Sequence, residues 1–169
     1  MPIVPQPDSV VRRLVTFFAT GFGLGYSPIA SGTVGSLWGL VIVWGMTHLN
    51  MPAWLYAFSC LVLILLAIPV CTIAEGSFGG KDDGRIVADE FMCFPVCMMG
   101  LPFSLEYAWL TVVAFGTFRF FDIVKIPPAR QCERLPGGAG IVLDDAVAAV
   151  YSLITNWMVY LLVLQIIPA

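Results

Sequence analysis

Five carboxylates stand where apolar runs of the chain meet polar loops: Asp89 and Glu90 in IVADEF, Asp122 in FRFFDIVK, and Asp144 and Asp145 in IVLDDAVA. Ionisable groups beside lipid are costly and usually pair, ligate or act. Oxygen ligands with no His or Cys among them suit Mg²⁺ or Mn²⁺ rather than zinc. Neighbouring residues on a helix point about 100° apart, so within each pair one carboxylate can ligate while the other caps or orients. Arg119, Asp122 and Lys125 recur every three residues, so one helical face carries an arginine, a carboxylate and a lysine. That pattern suits a phosphate held beside a metal. Thr33 and Ser36 are candidate phosphate or metal contacts, and the glycine-rich stretches Gly21 to Ser36 and Gly137 to Gly140 could bring backbone amides to phosphate oxygens. Neither stretch has the spacing of a named nucleotide motif.

Each feature also has a plainer reading. Asp144 and Asp145, like Asp89 and Glu90, fall where a helix would begin, and acids there cap free amides and favour the helix dipole. Arg119 and Asp122 could be an ordinary i, i+3 ion pair, and span-end cations commonly snorkel to headgroups. Small residues such as Thr33 and Ser36 often serve close helix packing in membranes. Asp82 and Asp83, flanked by Gly79, Gly80 and Gly84, read as a solvated turn. What the plainer readings do not predict is five carboxylates gathered at one boundary.

The elements that must gather them follow from composition. Of 169 residues 59% are hydrophobic and 11% charged, and the mean hydropathy is +0.91. These values are far from globular averages and indicate an integral membrane protein, here one domain over 1–169. The eight basic residues are scattered and the net charge is only −3, so no nucleic-acid surface is expected. The five cysteines lie mostly in apolar runs without CxxC spacing and read as packing thiols; His48 reads as a span-end residue. Leu14 to Tyr26 is short and glycine-interrupted and fits an interfacial helix better than a signal peptide. Leu37 to Leu49 and Ala53 to about Ala74 form a helical hairpin around Asn50 to Pro52. Phe91 to Leu101 holds about 11 residues, short of a ~30 Å hydrocarbon core. Tyr107 to Phe121 leads into a polar loop from Lys125 to Gly140, and Ala146 to Ile167 completes the chain. If every run from Leu37 onward crosses, all eight Lys and Arg residues fall on one side, which the positive-inside rule makes cytoplasmic. The expected fold is an all-α polytopic membrane bundle of about five spans plus an N-terminal interfacial helix. The charged set then lies at the cytoplasmic boundary.

At these residues the chain resembles bacterial phosphatidylglycerophosphatase A. The resemblance runs through GFGLGYSPIASGTVGS, IVADEF, FRFFDIVKIPPAR and GGAGIVLDDAVA in that order, nearly the whole chain. It implies a magnesium-dependent, multi-helical lipid phosphatase of the bacterial inner membrane, which removes the terminal phosphate of phosphatidylglycerophosphate to give phosphatidylglycerol. Ser31 stands where that family's pattern has proline, and Ile126 where it has proline after the lysine; both touch loop shape rather than the charged set. The mechanism expected is attack of water on the phosphomonoester, with Mg²⁺ held by Asp89, Glu90, Asp122, Asp144 and Asp145 and the phosphoryl charge met by Arg119 and Lys125. An aspartyl-phosphate route is the less favoured variant. One histidine is too few for a histidine-nucleophile phosphatase, Asp83-Gly84-Arg85 does not continue as a CDP-alcohol phosphotransferase requires, and no Asp-x-Asp of the haloacid-dehalogenase type is present. The rival classes are a small cation transporter or channel with an acidic ion site, and a non-catalytic membrane subunit. Against the transporter, the charges gather at a boundary rather than the midplane and no inverted repeat is apparent.

Overall fold

The computed structural model describes residues 9–80 and 83–166. Lys81 and Asp82 of the charged loop, and Asp8 near the start, lie outside the described residues. Seven α-helices are present among those described: α1 (Ser9–Ala19), α2 (Ser31–His48), α3 (Ala53–Phe78), α4 (Ala88–Cys93), α5 (Ala108–Val124), α6 (Ala129–Cys132) and α7 (Gly138–Ile166), with 3-10 turns at Leu24–Tyr26 and Phe94–Met98. The described residues contain no strand. α3 and α7 are each long and apolar enough to cross a membrane.

The chain is built around its short third apolar run. Every residue from Ala88 to Met98 is buried, enclosed by α2, α3, α5 and α7. With six residues of α-helix and five of 3-10 helix, the segment spans about 19 Å. Sequence length alone made it look too short to face lipid. In the structure it is covered by the surrounding helices along its whole length. Its tightened backbone is secured by side chains at the end away from the carboxylates. Tyr56 Oη donates to Pro95 O at 3.0 Å, Asn156 Nδ2 to Cys97 O at 3.1 Å and Trp157 Nε1 to Met99 O at 3.1 Å. These bonds satisfy carbonyls that a helix end leaves open, in a setting where open carbonyls are costly.

Packing shows that the main elements alternate in direction. Ser36 of α2 lies beside Glu90 and Gly39 against Phe94, so α2 runs with the central segment. α7 does the same, with Asn156 and Trp157 at the segment's far end. α5 runs the other way, with Phe115 and Phe118 against Phe94 and Arg119 at Glu90. α3 also opposes it, starting with Tyr56 near Pro95 and presenting Thr72 to the start of α7. The outer faces carry large apolar side chains in the open: Trp54, Leu61 and Leu65 on α3, Val112 and Phe120 on α5, Ile154 and Leu162 on α7. Such continuous apolar exposure suits a lipid-facing surface.

Two local features differ from the sequence reading. The last helix begins at Gly138, so Asp144 and Asp145 sit nearly two turns inside it and do not cap its start. Gly137 to Gly140 do not line the carboxylate cavity. Gly138 N donates to Thr72 Oγ1 at 2.9 Å, and a Cβ at Gly138 would lie 2.1 Å from Ile68 O. The glycine there permits close packing of α7 on α3 rather than an amide cradle for phosphate. The turn reading holds at Asp83, whose carboxylate accepts from Arg85 N, Nε and Nη2 at 3.0, 2.7 and 2.7 Å. The Arg85 guanidinium, stacked 3.9 Å over the Phe78 ring, holds the Asp83 carboxyl below its ordinary range.

Candidate functional site

All five carboxylates singled out in the sequence, with Arg119 and Lys125, line one cavity of about 330 Å³ at the shared end of α2, α4, α5 and α7. Asp89 and Glu90 come from the first turn of α4, Asp122 from the last turn of α5, and Asp144 and Asp145 from the second turn of α7. Four of them are deeply placed, at 7% exposure for Asp89, 9% for Glu90, 5% for Asp144 and 2% for Asp145. The cavity wall is completed by Ser31, Gly32, Gly84 and the apolar side chains of Ile86, Ile123 and Ile141.

Two cations pair with three of the five carboxylates. Arg119 Nη1 lies 2.6 Å from Glu90 Oε2 and 2.9 Å from Asp122 Oδ2, so the i, i+3 pair foreseen within α5 is extended to a third residue on α4. The Ser36 hydroxyl lies 2.5 Å from the same Glu90 oxygen and 2.8 Å from Gly32 O. Gly32 makes the arrangement possible, since a Cβ there would lie 2.0 Å from Glu90 Oε1 and 3.0 Å from Arg119 Nη2. On the other side, Lys125 Nζ lies 2.8 Å from Asp144 Oδ2 and 3.3 Å from Glu133 Oε1. Lys125 ends α5 in the left-handed region at φ 50°, which turns its side chain back towards α7. Burial pulls the Lys125 ammonium down, but Asp144 and Glu133 outweigh it and raise its pKa above the ordinary lysine value.

Ser36 therefore touches the site through Glu90, whereas Thr33 is half-buried and does not line the cavity. Sequence reasoning passed over Glu133, one acid in a polar loop with nothing in its spacing to pair it with Lys125. It also passed over Gly32 as an individual, although it lies in the flagged SPIASGTVGS stretch, and weighed Ser31 only for loop shape. Ser31 Oγ donates to Gly84 O at 2.7 Å and ties α2 to the charged loop.

At formal charges, five carboxylates against Arg119 and Lys125 leave an excess of three negative charges around the cavity. Buried like charges need a counter-charge or protons. Asp145 Oδ2 is buried and accepts no hydrogen bond among the described residues. The donor set is all oxygen, and the charge excess is what a divalent hard cation would offset, so the residues fit Mg²⁺ in chemistry. No three of them among the described residues already stand in a ligating arrangement.

The family profile for phosphatidylglycerophosphatase A matches residues 17–160. The chain is 38% identical over 159 residues to the phosphatidylglycerophosphatase A of Escherichia coli, covering 90% of both chains. It is 36% identical over 142 residues to that of Haemophilus influenzae, covering 83% of this chain and 85% of the relative. A Bacteroides thetaiotaomicron protein provisionally named a phosphatidylinositol-3-phosphatase is 35% identical over 144 residues, covering 83% of this chain and 90% of that one. No solved structure matches the chain significantly. The profile takes in the whole carboxylate cavity, from Ser31 to Asp145, and the chain belongs to the phosphatidylglycerophosphatase A family.

Proposed function

We propose that the protein hydrolyses the terminal phosphomonoester of phosphatidylglycerophosphate to phosphatidylglycerol and phosphate, using the cavity between α2, α4, α5 and α7. The observation that carries this reading is the convergence of five carboxylates, an arginine and a lysine on one cavity in a chain of this family with an apolar exterior. The topology that goes with it has five crossings, the amino end in the cytoplasm and a short α1 lying at the interface in a bacterial inner membrane. Its support is that α2, α3, the central segment, α5 and α7 alternate in direction and that Arg12, Arg13, Arg85, Arg119, Lys125, Arg130 and Arg134 belong to the cavity end of the bundle.

In this mechanism Arg119 meets the incoming phosphoryl group. Its Nη1 is held by Glu90 and Asp122, which fixes a guanidinium that lines the cavity and can donate from its remaining N–H groups to a phosphoryl oxygen. Lys125 supplies a second fixed positive charge, held by Asp144 of α7. Mg²⁺ held among Asp89, Glu90, Asp122, Asp144 and Asp145 would offset the carboxylate charge and polarise the phosphoryl oxygens. Attack of water forms one P–O bond as the bond to the glycerol oxygen breaks. A buried carboxylate takes the proton that water loses, and the leaving glycerol oxygen gains one. Asp89→Asn and Asp145→Asn should each abolish Mg²⁺-dependent phosphate release while the folded protein is still recovered; release that survives both substitutions rules the assignment out.

A further inference from the structure

α2 and α5 both lean on the central segment but are not packed helix on helix among the described residues. A groove is therefore left between them, and its two ends differ in chemistry. One end is the carboxylate cavity, where Ser31 and Gly32 of α2 face Arg119, Asp122 and Ile123 of α5. The other is an apolar cavity of about 500 Å³, where Trp44 of α2 faces Ala108 and Thr111 of α5, capped by Phe103, Ser104 and Leu105. Leu40 and Leu37 lie one and two turns before Trp44 on the same flank of α2. Thr33 falls on that flank too, at the mouth beside Gly32.

We propose that this groove holds an acyl chain of the lipid phosphomonoester whose headgroup occupies the carboxylate cavity, a site that rests on the function proposed above. The two cavities lie at opposite ends of the same pair of helices, and their polarity matches that of an amphiphile: cations at one end, an apolar pocket at the other. The groove's length also fits. From Gly32 to Trp44 on α2 and from Arg119 back to Ala108 on α5 the helices rise about 17 Å, close to the depth of one leaflet of a ~30 Å hydrocarbon core. The lipid then enters sideways from the membrane between the two helices, past Leu37, Val112 and Ile123, which are 47%, 72% and 72% exposed. Thr33 becomes a residue at the junction of headgroup and chain rather than a ligand of the phosphate.

Two measurements test this. In detergent with Mg²⁺, Ala108→Trp and Thr111→Trp, which fill the apolar end, should raise KM for a sixteen-carbon-chain substrate by about tenfold or more. They should leave kcat/KM for the dihexanoyl substrate unchanged, which also shows that the variants fold. Equal effects on both substrates, or none on either, overturn the groove. Independently, wild-type protein in chelator is photolabelled with phosphatidylglycerophosphate carrying a diazirine near one chain end. Adducts are expected at Trp44 and in 103–111, and should be suppressed by unlabelled phosphatidylglycerophosphate but not by phosphatidylcholine of the same chains. Adducts spread over the outer faces of α3 and α7, or suppressed equally by both lipids, overturn the proposal. Wild type that releases no phosphate from either substrate sinks the functional reading itself, and the photolabelling then decides the groove alone.

Discussion

Gly32→Ala perturbs the site by a single methyl group. The added Cβ would lie 2.0 Å from Glu90 Oε1 and 2.9 Å from Glu90 Cδ, so the carboxylate must retreat by about an ångström to reach even the tightest tolerated contact. Glu90 is long enough to swing away without backbone strain, but swinging abandons both the Ser36 hydroxyl at 2.5 Å and Arg119 Nη1 at 2.6 Å. Arg119 then keeps only Asp122 and loses its aim. A misplacement of about 1 Å in a positioning group costs on the order of 10²-fold in rate. Stability should respond far less, because overpacking costs about 1–3 kcal/mol and replacing a helical glycine by alanine returns roughly 1 kcal/mol. The expected variant is folded, with Tm within a few degrees of wild type and kcat/KM for phosphatidylglycerophosphate down about a hundredfold. Gly45→Ala on the same helix, where a Cβ meets nothing within 4 Å, is the control and should keep full activity. Wild-type kcat/KM in Gly32→Ala would refute the claim that Glu90 positions Arg119.

Three further outcomes follow from the same geometry. Asp145→Asn removes one buried charge from a cavity with three negative charges in excess, so it should raise the Tm measured in chelator while abolishing the rise that Mg²⁺ gives wild type; a lowered Tm in chelator contradicts the charge reckoning. Lys125→Met removes one partner from each of Asp144 and Glu133 and should cost about 1–2 kcal/mol in stability. Because the folded pKa of Lys125 is raised, that contribution is fully present below the ordinary lysine pKa of about 10.4 and fades only as pH climbs through the higher folded value. An alkaline loss of activity near pH 9 in wild type would therefore come from another group, and should persist unchanged in Lys125→Arg. Asn156→Leu leaves Cys97 O without its side-chain donor and Thr117 Oγ1 without the Asn156 oxygen, at a cost of about 1–3 kcal/mol. Thermal unfolding in detergent measures it, and an unshifted Tm would show that the central segment does not need this clasp.

The candidate site was legible in the sequence because lipid makes charge expensive. Asp89, Glu90, Asp122, Asp144 and Asp145 stand out against apolar runs, and the parity of those runs brings them to one end, as the alternating elements do in the structure. The central segment was less legible because hydropathy registers removal from water without saying whether lipid or protein does the covering. Phe94 lies in a run that hydropathy alone cannot distinguish from a lipid-facing one, and it is wholly enclosed by helices. The start of α7 was misplaced because Gly137 to Gly140 reads as loop from composition, whereas Gly138 and Gly140 are helical residues pressed against Ile68 and Leu135. Glu133 carried no local signal at all; its meaning comes from Lys125 turning back at the end of α5.

The central claim is that the carboxylate cavity performs metal-dependent hydrolysis of a lipid phosphomonoester. Phosphate release from phosphatidylglycerophosphate by the purified protein in detergent, with Mg²⁺ or with chelator, tests it most directly. The account predicts steady release with Mg²⁺ that stops on chelation and returns when Mg²⁺ is restored; release at the same rate in chelator, or none in either condition from folded protein, would contradict it.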